Sequence, residues 1–235
     1  MLDFTKNFNH IRKIFQREGL FLGIGELVCS AVDSIRSTLL FKVQRVKLMS
    51  ISGSGVRLHA GARVYNHEQI NISKMKLGVG APPGEGLKDG FPTLDFAAGA
   101  DDEVFFSFKT PSRYDTSTNM SLHIIFFVDT APAAAAGVCW ALEWKATAMG
   151  ETIDFTAGTA TLPTVHPVTV GTPANDALRL DCEMLEGGAG AIAADDLIQC
   201  RLYRDVSDAG DTFAGDARLI NAHVHYISNK LGESI

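Results

Sequence analysis

Two groups of residues in this 235-residue chain have the types and spacing for chemistry: the pair His223 and His225, and the acidic run Asp205, Asp208, Asp211 and Asp216. On a β-strand, residues i and i+2 point to the same face, so His223-x-His225 can bring two imidazoles to one ion, with His123 on another segment completing the set. The competing reading is a polar outer sheet face that happens to contain histidines. The aspartates offer oxygen ligands for calcium, yet the EF-hand order of Asp-x-Asp-x-Asp-Gly with a distal Glu is not met. Asp208-Ala-Gly-Asp211-Thr reads equally well as a tight solvated turn. His223, His225, Asp208 and Asp211 are therefore candidate ligands only; no metal, cofactor or catalytic residue is assigned.

Other chemistries fail on spacing. The glycines from Gly78 to Gly90 do not form a phosphate loop: Lys88 follows Leu87 and precedes Asp89, and Pro82-Pro83 removes two backbone donors. No Gly-x-Ser-x-Gly elbow exists. Cys29, Cys139, Cys182 and Cys200 fall in apolar surroundings, where cysteine behaves as a small core residue, and no pair has zinc-like spacing. Asp101-Asp102-Glu103 and Asp195-Asp196 read as solvated strand entrances, and nothing selects a glycosidase pair among them.

The elements that must position these residues are strands. Val104, Phe106 and Phe108 share one face; Met120, Leu122, Ile124, Phe126 and Val128 share another. Val138, Trp140, Leu142, Trp144 and Ala146 alternate with polar or small residues, as do Ile198, Cys200 and Leu202, and Ile220, Ala222, Val224 and Tyr226. Weaker strands are expected at 152–155, 165–170 and 177–184. About eight strands separated by turn clusters predict a mainly β fold, an antiparallel jelly-roll-like sandwich over 91–235. Ile125 and Phe127 make a second apolar face that a single sandwich would expose, so an oligomer interface is expected there.

The first 48 residues read differently. Phe4, Phe8, Ile11 and Phe15, then Leu20, Ile24, Leu27, Val28, Ala31, Ile35 and Leu39, recur at helical steps and predict an α-helical arm. Leu20, Ile24, Leu27, Ile35 and Leu39 are its expected interface residues. The uncharged run from Gly19 to Gly25 is too short to span a bilayer, and Asp3, Glu18 and Glu26 spoil a signal peptide. Residues 49–90 are expected to be a linker with a short strand at 56–59.

Charge separates arm from body. Residues 1–48 hold eight Lys and Arg against four acidic residues, a local +4, whereas the rest carries −10 within a total of −6. The acidic body disfavours nucleic-acid binding, and membrane contact through the arm is not favoured over protein contact. A hydrophobic content of 46% excludes a chain disordered throughout.

Phe91-Pro92-Thr93-Leu94-Asp95-Phe96, Asp101 to Phe108, Pro111-Ser112-Arg113-Tyr114, Gly137-Val138-Cys139-Trp140, Leu197 to Asp205 and Asp211 to Ala217 together resemble the small β-sandwich accessory proteins of tailed-bacteriophage virions. The resemblance covers about residues 90–227. It implies a trimeric jelly roll on the capsid or tail surface, a decoration, cement or fibre protein without catalysis, docked to partners such as the major capsid protein. The alternative is a receptor- or glycan-binding fibre module using the loop aromatics Tyr114 and Phe213. A third possibility is a cupin-like metal enzyme built on His223 and His225.

Overall fold

Runs rich in Val, Ile, Phe and Leu that alternate with polar residues favour extended backbone. The computed structural model accordingly contains sixteen strands and no α-helix among its described residues, which are 27–29, 39–43, 46–52, 55–59, 62–132, 134–155, 159–160, 164–168, 178–182 and 191–230. No helix among them is long and apolar enough to cross a membrane.

The first strands, β1 (Leu27–Cys29), β2 (Leu39–Val43), β3 (Val46–Ser52) and β4 (Gly55–Leu58), form an antiparallel sheet in chain order. Over Leu27–Cys29 and Leu39–Val43 strands replace the expected helix, with Leu27 paired to Val43 and Leu39 to Ile51, while Phe4, Phe8, Ile11 and Phe15 lie outside the described residues. Leu20, Ile24 and Ile35 lie outside the described residues. The physical reason is that the β-branched Val43, Val46 and Ile51 prefer the extended state and supply successive pairing partners. Leu58 N–H donates to the Asn229 carbonyl, which ties β4 to the sandwich.

The sandwich begins with β5 (Val64–Ile70), β6 (Lys76–Leu77), β7 (Gly84–Lys88) and β8 (Phe91–Phe96). It continues through β9 (Glu103–Lys109), β10 (Ser121–Val128), β11 (Ala136–Thr147), β12 (Thr159–Ala160), β13 (Thr164–Val168), β14 (Leu178–Cys182), β15 (Leu197–Arg204) and β16 (Ala217–Ser228). One sheet runs β14-β10-β16-β8-β7 with β5 also on β16; the other runs β12-β11-β15-β9-β6 with β13 also on β11. All pairings are antiparallel. The orders β8-β16-β10-β14 and β9-β15-β11-β13 are those of an eight-stranded jelly roll, in which most connections cross between sheets.

Much of the expected linker 49–90 is thus sheet. Its glycines build β7, and Asp89 and Gly90, with φ of 49° and 92°, close a two-residue hairpin between Lys88 and its partner Phe91. Two positive φ values are the signature of the type I′ turn that matches strand twist. The expected strand at 152–155 is irregular chain instead, and β8 takes its place in the count of eight.

Trp140 of β11 is fully buried between the sheets, its ring 4.8 Å from Phe96 on β8 and 5.4 Å from Phe126 on β10. Val104, Leu122, Ile124, Val128, Val138, Leu142, Ile198 and Leu202 complete the closely packed centre. Each such side chain contributes roughly 1.5–3 kcal/mol by leaving water. One alternation slips: the β10–β16 register shifts after Ile125, so Ile220 becomes the extra residue of a bulge and Leu219 points inward in its place.

Candidate functional site

The outer face of the β14-containing sheet gathers histidines from three adjacent strands. In the register, His123 on β10 lies opposite His223 on β16, and His225 lies opposite both Ser121 and His67 of β5. His123, His223 and His225 each place one ring nitrogen within 4.8 Å of the other two. The rings are close: 3.7 Å between the centroids of His123 and His225, and 4.7 Å between His223 and His225. His67 stands 5.7 Å from His225.

Each ring is held by a neighbour. Nδ1 of His223 lies 3.0 Å from Oδ1 of Asn221, its hydrogen-bond partner. The Tyr65 hydroxyl bonds Nδ1 of His225, and the Ser121 hydroxyl bonds Nε2 of His123 at 3.0 Å. His123 is buried, whereas His223 and His225 are half-buried. The sequence pairing of His223 with His225 and His123 is thus brought together. His67 and Tyr65 fall in the segment expected to be linker, although Tyr65, His67 and Gln69 alternate along what is strand β5.

The aspartate loop turns out otherwise. Asp211 is buried and spends both carboxylate oxygens on Arg204, with Oδ2 also accepting from the Cys139 N–H at 2.9 Å. Asp208 accepts from Gly210 N–H, and Asp205 accepts from the Ser207 hydroxyl and Asp208 N–H. Asp208 and Asp211 are therefore turn and core elements. The carbonyls of Phe96, Gly215 and Phe213 take the remaining Arg204 donors. All five guanidinium N–H groups are used, as burial of a charge requires.

Other acidic residues are also committed. Glu103 and Glu143 share Arg201, at 2.5 and 3.1 Å. Asp102 and Asp196 are buried instead of solvated, accepting from the N–H groups of Ala97 and Ala193. Burial holds the Asp102 carboxyl above its ordinary range, helped by Asp216. Burial pushes the Cys139 thiol up to about 12, with Asp208, Asp205 and Asp211 adding to it, and raises the buried Cys200 thiol further. Neither sulfur is an activated nucleophile.

The interface candidates on β10 are partly corrected. Phe127 is buried within the single chain, so no partner is needed to cover it, while Ile125 is half-buried. The loop aromatics proposed for sugar stacking, Tyr114 and Phe213, are both buried. Exposed apolar side chains are found instead on the β7–β8 hairpin, where Leu87 is 71% and Phe91 67% exposed, and at Val79, Met149, Ile153 and Tyr65.

One side of the sandwich is open between β5 and β9. A groove of about 740 Å³ there is lined by Gln69, Asn71, Lys74, Phe105, Phe155 and Gln199 among others. It shares Glu68 and Lys109 with a second groove of about 670 Å³ along the same side.

No protein-family model and no curated protein matches the sequence. Among solved structures, a xylan-binding module, CBM15, is similar with a TM-score of 0.43 and 11% identity, over 73% of this chain and 100% of that one. The CBM36-1 domain of a multidomain xylanase from the hindgut metagenome of Trinervitermes trinervoides has a TM-score of 0.33 and 12% identity, over 72% and 100%. A structure of infectious bursal disease virus, Gx strain, has a TM-score of 0.35 and 8% identity, over 91% and 46%. These likenesses are too slight to bear on function; the jelly-roll assignment rests on the strand order of the chain itself.

Proposed function

We propose that this chain is a non-enzymatic structural component of a phage-like virion, a capsid-decoration or fibre module that works as a homotrimer. The observation that carries the reading is the β7–β8 hairpin, which presents Leu87 and Phe91 to solvent beside a tight, rigid turn. Exposed apolar side chains on a hairpin are the kind of surface that association removes from water. The carboxylates described above stabilise loops and cations, which favours a scaffold over acid–base chemistry. Sedimentation of the full chain should give a mass near three times 25.3 kDa, and Leu87→Glu with Phe91→Glu should lower it. A monomer at every concentration tested would overturn the oligomer, and density for this chain away from the particle surface would overturn the location.

A second reading, a glycan-binding fibre module, is favoured by the groove between β5 and β9. Phe105 and Phe155, with ring centroids 6.4 Å apart, offer stacking surfaces beside the amides of Gln69 and Gln199. Binding on a glycan array that weakens with Phe105→Ala supports it. A blank array, or binding unaffected by that change, rejects it.

A further inference from the structure

We propose that His123, His223 and His225 bind one divalent transition-metal ion of the zinc class on the outer face of the sheet, clamping β10 to β16. The inference is independent of the virion reading. Three imidazole nitrogens from adjacent strands already lie within 4.8 Å of one another. A zinc–nitrogen bond of about 2.0–2.1 Å sets tetrahedral ligand atoms roughly 3.3 Å apart, so small side-chain rotations close the site. The register makes the convergence a property of the sheet: His123 is cross-strand to His223, and His225 follows on the same face.

The ligand chemistry selects the ion. Imidazole nitrogen suits zinc, nickel and copper, whereas calcium and magnesium demand oxygen, and the aspartates that might supply it are spent on Arg204 and on turns. The surrounding hydrogen bonds are those a metal-binding histidine needs. The Asn221 amide oxygen holds the ring of His223 through Nδ1, and the Tyr65 hydroxyl orients the ring of His225. Three protein ligands leave a fourth position for water, with the His67 ring alongside. The ion would staple the two strands that share the longest pairing in that sheet, and so act on stability.

The test uses the full chain without a histidine tag, stripped with EDTA and titrated calorimetrically with Zn²⁺ at neutral pH. The expected result is saturable binding of one ion per chain, weakened at least about tenfold by His223→Gln and by His225→Gln, together with a zinc-dependent rise in melting temperature in the wild type alone. Imidazole ¹⁵N spectra of the wild type supply a readout that needs no variant: of the seven histidines, three should change on zinc addition. Absence of saturable binding, equal binding by both variants, or spectral changes confined to other histidines would each overturn the site.

Discussion

Arg204 and Asp211 form a bidentate ion pair with both side chains buried, Nε to Oδ2 at 2.9 Å and Nη2 to Oδ1 at 2.8 Å. The pair folds the 205–216 loop back over the end of β15 and anchors it to β8 and β11 through the Phe96 carbonyl and the Cys139 N–H.

Removing one partner strands the other charge out of water. Asp211→Ala should cost about 3–5 kcal/mol, because Arg204 has no solvent to turn to. Asp211→Asn, which keeps an acceptor for the Cys139 N–H, should cost less. Urea denaturation of the three proteins checks the order; near-equal midpoints would mean that the loop is not held by this pair.

Asp115 links acidity to stability. Burial raises its carboxyl, but the hydrogen bonds from Arg63 and Ser117 outweigh that and hold it below the ordinary carboxylate range. A depressed folded-state value stabilises the protein above the unfolded value of about 3.9, and that gain is lost as pH falls through the folded value. Asp115→Asn should therefore be less stable than the wild type at pH 7 and draw level with it in strong acid. Parallel curves across the whole range would contradict the assignment.

Tyr114 behaves in the opposite sense at alkaline pH. Burial, and then the Asp115 charge, push its phenol up to about 12, while its hydroxyl donates to the Thr118 carbonyl. Since the unfolded phenol ionises near about 10, stability should fall as pH climbs from about 10 toward 12. In ultraviolet titration of the four tyrosines, Tyr114→Phe should remove the latest-ionising component. If an early component disappears instead, Tyr114 is not buried as described.

The hairpin turn tests the backbone. Gly90 has φ of 92° and open space where a Cβ would sit, so Gly90→Ala meets no clash and pays only for the left-handed conformation. A loss of roughly 1 kcal/mol in thermal or chemical unfolding is expected. No loss would imply that the turn relaxes to another type.

What the sequence determined by itself was the set of strands whose two faces differ. Ile198 to Leu202 alternate cleanly, because one face of that strand meets the core and period two follows from the pleat, whereas on β11 Cys139 and Ala141 are buried as well as Val138, Trp140 and Leu142. His223-x-His225 was legible for the same reason. Only the tertiary structure decided that His123 and His67 stand beside them, since register across strands far apart in sequence depends on packing that no local pattern encodes. Helical spacing of Leu27 and Leu39 misled because leucine serves either element, and pairing partners settle which one forms. Asp208 and Asp211 looked like ligands from their type alone; the buried guanidinium of Arg204, reached only once β15 is in place, made Asp211 a core residue instead.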